Sequence, residues 1–387
     1  MNKKIIYMLI FTAAAFFSMN FQHIVTPPYL TAIGLEVKYY GLLFGFMALG
    51  LGISAPISGR LGDKYGTRIT IFIGFLGYAI SQVLFATFTD LYALLIVRIT
   101  AGLFVSSALI NMISYLTKVS SKEDRAKVMS YYTGVVMLFM SLAYKFGGEL
   151  GELMSARDII YIHAFSCMTI AFLSLLLPNI KGNRKIQSKV KIKDFMTIRL
   201  FKIMIIYFLV TMGFTTVNKF MEVYLVNIYP ISTVGNFISI MGVITILFTL
   251  VVLPYASKKL HELTIMKILL VLGGIAIWTT FALFDNILIG FYTVFIVFNM
   301  ARSGYVPMHN SYISKADENN QGQVIGISQS FRGIGMSLGP IIGGLIYASN
   351  PVRMFNASAI LLTIGFVLLI FIKGEKNENE IISSSNA

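Results

Sequence analysis

The chain of 387 residues is short of charge. Asp, Glu, Lys and Arg make up 12% of it, against about 25% in an ordinary soluble domain. Acids are scarcest, with 17 Asp and Glu facing 31 Lys and Arg. So thin a supply cannot cover the surface of a soluble protein of this size, which excludes a soluble globular enzyme. The 56% of hydrophobic residues excludes a disordered chain. The single cysteine, Cys167, cannot close an internal disulfide, so a disulfide-built secreted scaffold is excluded as well. Also missing are a Gly-rich phosphate loop ending in Lys-[Ser/Thr], paired His or Cys at metal-ligand spacing, and a nucleophile with a base in register. No enzymatic activity, cofactor or metal centre is therefore expected.

What the sequence has instead is long apolar runs. A bilayer core takes about 20 helical residues to cross, and twelve stretches approach that length: 5–26, 39–59, 69–88, 91–116, 128–150, 159–178, 201–226, 235–256, 264–284, 287–312, 323–348 and 354–372. Asn2-Lys3-Lys4 followed by an apolar run and Ala13-Ala14-Ala15 has the outline of a cleavable signal. The run continues through Phe16 and Phe17 to Val25, so it is read as the first span. Numbering the connections in turn, 23 Lys and Arg fall on one side, while only Lys38, Arg157 and Arg353 fall on the other. The positive-inside rule makes the crowded side cytoplasmic and places both termini there. Cations spread over short loops, instead of clustered on one face with aromatics between them, argue against a nucleic-acid partner. The densest run, Lys181 to Lys202, reads as a linker beside anionic lipid head groups.

That linker divides the spans six and six. The expected domains are 1–178, an N-terminal six-helix bundle; 179–200, the basic linker; 201–372, a C-terminal six-helix bundle; and 373–387, a disordered cytoplasmic tail. Pro56 and Pro254 are separated by 198 residues, Arg98 and Arg302 by 204, and Gly147-Gly148 and Gly343-Gly344 by 196. Three chemically different landmarks at nearly one offset indicate an internal repeat. The fold expected is all-α, twelve transmembrane helices in two pseudo-symmetric bundles with a site between the halves.

Five cations lie within the spans: Arg98, Lys145, Lys219, Arg302 and Arg332. A charge facing lipid costs about 2.5 kcal/mol or more, so each must face protein or a wet cavity. Spans 3, 6, 9 and 12 are nearly free of charge and read as an outer layer. Lys145 with Glu149 and Lys219 with Glu222 share helix faces and can pair locally. Arg98, Arg302 and Arg332 have no acid within one turn. Asn299 lies one turn before Arg302, and His309 lies on the same face two turns after it. Glu222 and Glu149 are the acids well inside any span, which makes Glu222 the leading carboxylate for reversible protonation, with a plain salt bridge to Lys219 as the open alternative. Arg98 reads as structural or part of a proton relay, with a ligand contact as the open alternative, and Lys145 with Glu149 as an outer gate or a binding element. His23, near the outer end of span 1, and His309, near the inner end of span 10, read as proton-titrating groups or as interfacial hydrogen-bonding residues.

Between spans 2 and 3 the chain reads Gly59-Arg-Leu-Gly-Asp63-Lys64-Tyr-Gly66-Thr67-Arg68. Here it resembles the major facilitator superfamily, whose first cytoplasmic motif is G-x-x-x-D-[RK]-x-G-[RK]-[RK]; only Thr67 departs from it. Arg98-x-x-x-Gly102 looks like that family's span-4 arginine motif. Gly335-x-x-x-Gly339-Pro340-x-x-Gly343-Gly344 and the turn Asn320-Gln321-Gly322-Gln323 resemble small bacterial drug:proton antiporters. The resemblance covers all twelve spans. It implies alternating access, with spans 1, 4, 7 and 10 lining a central site. It also implies that Asp63 meets the N-terminal end of span 11, and that Gly59, Asp63, Lys64, Gly66, Arg68, Gly339, Pro340, Gly343 and Gly344 form the conformational switch.

Two departures shape the substrate. In span 5 the motif G-P-x-x-G-G stands as Ala143-Tyr144-Lys145-Phe146-Gly147-Gly148, so the proline is lost and a lysine gained. Span 1 has no carboxylate and carries Asn20, Gln22 and His23. Five interior cations against Glu149 and Glu222 favour an anionic or zwitterionic substrate, a carboxylate-bearing metabolite or metallophore held by Arg302, Arg332, Lys145, Lys219 and Asn299, because guanidinium forks match carboxylates. Glu222, Arg98 and His23 are the expected proton-coupling residues. The function implied is proton-coupled export in the plasma membrane by a monomer. Multidrug efflux of lipophilic cations, uptake of an organic anion and a non-transporting membrane sensor stand as alternatives.

Overall fold

Hydrocarbon offers backbone N–H and C=O groups no partner, so an apolar chain of this kind closes its hydrogen bonds within helices. A computed structural model describes residues 3–121, 124–181, 197–283, 286–316 and 321–372. Most of the expected linker at 179–200, the expected disordered tail at 373–387 and Asn320 lie outside the described residues. Among the described residues no strand occurs.

The helices in chain order are α1 (Lys3–Asn20), α2 (Thr26–Ala32), α3 (Lys38–Tyr65), α4 (Thr67–Thr87), α5 (Leu91–Val119), α6 (Arg125–Leu153) and α7 (Ala156–Ser174). There follow α8 (Ile198–Val226), α9 (Ile231–Leu247), α10 (Leu253–Lys259), α11 (Glu262–Ala282), α12 (Ile287–Thr293), α13 (Phe295–Ala316), α14 (Gln321–Ser349) and α15 (Pro351–Ile370). Short turns are closed by capping side chains: Asp90, Ser155 and Asn350 accept the amide three residues on, from Ala93, Asp158 and Arg353, at 2.9, 3.2 and 3.0 Å.

Joined across their breaks, α1 with α2, α9 with α10 and α12 with α13, these helices make twelve rods at the twelve expected spans. Ten rods are long and apolar enough to cross a membrane, and the pair α12 and α13, bent by 42°, makes an eleventh. The twelfth rod is α6. That helix has 29 residues, length enough, but Tyr131, Tyr132, Tyr144, Lys145 and its glycines dilute its apolar content.

Contacts divide the chain into two compact units. The first takes α1 to α7, the Asn218–Ile246 stretch of α8 and α9, and Pro340–Ser349 of α14. The second takes α8 up to Val217, Leu247–Gly339 and α15. Three helices therefore change unit part-way along. In α14 the change falls between Gly339 and Pro340, where the proline removes a backbone donor. In α9 it falls at a π turn, Phe248–Val252, followed by Pro254. Sequence halves count repeats and contact units count touching residues; the two divisions differ in these three helices.

Candidate functional site

In the first unit the site is built from Glu222. One helical turn sets Lys219 beside it, with Nζ 3.3 Å from Glu222 Oε1. Tyr144 of α6 donates its hydroxyl to the same oxygen at 2.9 Å, and Tyr40 of α3 donates to Oε2 at 3.1 Å. Glu222 is 2% exposed and Lys219 7%. The Lys219 ammonium also lies 4.9 Å from the Phe44 ring centroid. The carboxylate thus ties α3, α6 and α8 together with three donors on two oxygens, and the ring of His23 stacks on Tyr144 at 6.3 Å. Sequence reasoning found the Lys219–Glu222 pair. It missed both tyrosines, although Tyr144 occupies the position of the missing proline in Ala143-Tyr144-Lys145-Phe146-Gly147-Gly148.

Arg98 stands on α5, one turn before Gly102. A Cβ at Gly102 would lie 2.0 Å from the Met47 carbonyl oxygen of α3, so only glycine admits this approach. The close crossing brings Met47 to Arg98, whose Nη1 lies 3.8 Å from its sulfur. The guanidinium stacks on Phe85 at 3.6 Å. Arg98 is 5% exposed, and among the described residues it has no ion pair.

In the second unit a polar cluster forms around Arg332 and His309. Arg332, half-buried, donates to Gln329 Oε1 at 3.3 Å, and Gln329 Nε2 donates to Asn310 Oδ1 at 3.2 Å. His309 is fully buried, with Nε2 2.8 Å from Ser328 Oγ and its ring stacked 3.6 Å from Tyr207. Three packed helices, α8, α13 and α14, contribute to its surroundings. Arg302 is half-buried, and Asn299 is buried with its amide donated to Phe295 O of its own helix at 3.4 Å. Lys145, in the first unit, is exposed and holds Glu149 loosely at 3.9 Å, their side chains 52% and 55% accessible.

The residues expected to form the switch fall into three groups. Gly66 has φ +98°, a conformation that favours glycine, and a Cβ there would lie 2.0 Å from Asn179 Oδ1. Asn179 also accepts the Arg68 amide at 3.2 Å. Gly59 has no such constraint, with nothing within 4 Å of a built Cβ. Asp63 takes Lys118 of α5 at 2.7 Å, and Lys64 lies over the Tyr65 ring at 4.9 Å. In the second half Glu262 binds Lys315 and, at 2.9 Å, Ser311. The separations of 199 between the two acids and 197 between the two lysines repeat the sequence offset, so this is the second copy of the Asp63–Lys118 pair. It was invisible to the motif because the flanking glycines are absent. On α14, Cβ atoms would lie 2.7 Å from Met212 O at Gly339 and 2.6 Å from Lys38 O at Gly344. The Pro340 carbonyl packs on Gly41, and Gly343 is buried.

At the charge-poor ends Glu152 of α6 accepts the Ser232 amide at 3.1 Å, and that bond holds its carboxyl below the usual range.

A family model described as Major Facilitator Superfamily matches residues 7–340. The chain belongs to that superfamily. As a member it is a multi-pass membrane transporter of small molecules. Multidrug resistance protein 1 of Bacillus subtilis (strain 168) is 24% identical over 364 residues, covering 92% of each chain. Quinolone resistance protein NorA of Staphylococcus aureus (strain MRSA252) is 25% identical over 365 residues, covering 90% of each. Among solved structures, that of a point mutant of the nucleoside transporter NupG has a TM-score of 0.81 at 15% identity and covers 95% of this chain and 98% of its own. A bacterial homolog of the human lysosomal transporter Spinster, titled as inward-facing and occupied, has 0.81 at 13% identity and covers 95% and 96%. At these identities the likeness establishes the superfamily fold in an all-helical chain.

Proposed function

We propose that this transporter exports a small organic compound in exchange for protons, by alternating access, as a monomer in the plasma membrane with both termini cytoplasmic. The observation that carries the reading is Glu222, a buried carboxylate held by Tyr40, Tyr144 and Lys219 from three helices. Protonating it removes the charge that draws these three donors and adds an O–H donor of its own, which changes its hydrogen bonds with the tyrosines and Lys219. Proton binding thereby alters a contact between helices, which is what coupling requires. Arg98 and His23 are the polar neighbours of this group, and the glycine-proline stretch Gly339-Pro340 is the point at which α14 can bend.

The substrate is read as anionic or zwitterionic. Arg302, Arg332, Lys145, Lys219 and Asn299 are the donors proposed for it. A guanidinium anchored by a neutral amide, as Arg332 is by Gln329, suits a carboxylate that arrives with the substrate. The second reading is efflux of lipophilic or cationic drugs, supported by the names of the Bacillus and Staphylococcus relatives.

Proteoliposomes carrying the purified protein distinguish them. Panels of organic anions and of lipophilic cations are offered under an imposed proton gradient, with wild type, Arg332→Ala and Glu222→Gln. Export of an anion that collapses the gradient, weakened by Arg332→Ala and uncoupled by Glu222→Gln, is the expected result. Transport of cations alone, unaltered by Arg332→Ala, transfers the case to drug efflux. Transport insensitive to both substitutions removes the proposed site.

A further inference from the structure

Arg98 is a permanent cation that is 95% buried in the first unit, by its 5% exposure. Its guanidinium has five N–H donors to place. Within the described residues Nη1 meets the weak acceptor Met47 Sδ at 3.8 Å, the flat face covers Phe85, and Nε is buried with no hydrogen-bond partner. The nearby acid is spoken for: Glu222 is neutralised by Lys219, so the two clusters together carry one uncompensated positive charge. A buried charge with no partner is among the most unfavourable features a fold can keep.

Arg98 also lines a cavity. It has a volume of about 20 Å³ and is walled by His23, Thr26, Tyr40, Phe44, Met47 and Arg98 among others. A single water needs roughly 10–15 Å³ measured this way, so the space fits one monatomic guest and is too small for an organic substrate. Arg98 repels a cation from this space, and because the Tyr40 hydroxyl gives its proton to Glu222, the N–H donors for an anion come from Arg98.

We propose that this cavity is a small-anion site, occupied by a halide such as chloride, with Arg98 supplying charge and N–H donors. The site goes beyond the transport reading, since it takes neither the substrate nor the proton. An anion there neutralises Arg98 and stands against Tyr40, one of the two tyrosines that hold Glu222.

The test is the thermal unfolding of purified full-length protein in chloride, bromide, sulfate and gluconate at matched ionic strength and pH. Chloride and bromide are expected to raise Tm above gluconate by an amount on the order of 2 °C, saturating with concentration, while sulfate, too large for the cavity, does not. The rise should disappear in Arg98→Gln and persist in Lys38→Gln, which removes a partly exposed cation at the start of α3. Equal Tm in all four salts, a rise that never saturates, or one that survives Arg98→Gln overturns the site. Should Arg98→Gln fail to fold, crystals of the wild type grown in bromide decide it: an anomalous peak beside the Arg98 guanidinium supports the proposal, and none there ends it. Neither readout involves transport, so a failure of proton coupling would leave the result standing.

Discussion

Two buried polar clusters occupy the two contact units, and they are opposites in chemistry. Around Glu222 an acid has its full set of donors in Lys219, Tyr40 and Tyr144. Around His309 and Arg332 the partners are Ser328, Gln329 and the Tyr207 ring, all neutral, and among the described residues Arg332 has no ion pair. The first cluster is closed on itself. The second has, within the described residues, a cation with no acid against it. On the proposed reading, coupling and recognition rest on different chemistry in different parts of the chain.

The sharpest way to break this contrast is at Glu222. Removing the acid with Glu222→Ala leaves Lys219 buried without its counter-charge, and such losses run to about 3–5 kcal/mol. Thermal unfolding should therefore fall steeply in Glu222→Ala and recover in the double variant Glu222→Ala with Lys219→Met. If the single variant unfolds like wild type, the closed cluster is not a stabilising unit.

Next in size are the tyrosines. A hydrogen bond to a charged group contributes about 1.5–3 kcal/mol, so Tyr144→Phe and Tyr40→Phe should each lower stability within that range. They should also shift the pH dependence of transport, because each changes what the carboxylate must give up on protonation. An unshifted profile in both would reduce them to packing residues.

The second cluster should respond in the opposite manner. Arg332→Ala is expected to leave unfolding nearly unchanged and to weaken substrate affinity about tenfold, or about 1.4 kcal/mol. Loss of stability with affinity intact would reverse the assignment. The smallest effect belongs to Lys145, whose ion pair with Glu149 is long and solvent-exposed. Such pairs contribute about 0–1 kcal/mol, and Lys145→Ala should move Tm by no more than a degree or two.

The span count, the charge bias and the loop motif were legible in the sequence because each is local: about 20 apolar residues, a cation near a span end, a glycine where φ is positive. Lys219 with Glu222 was legible for the same reason, since helical geometry places residues three apart on one face. Tyr40 and Tyr144 lie 182 and 78 residues from Glu222, and no periodicity relates them to it; only packing brings the three helices to one carboxylate. Burial of His309 and the second acid–lysine pair at Glu262 and Lys315 were hidden likewise. The sequence by itself determined that the chain is helical, membrane-spanning and doubled, because hydrocarbon admits few alternatives. Tertiary structure alone decided which buried charges are answered and which are left open, because a counter-charge is a matter of distance in space and not of position along the chain.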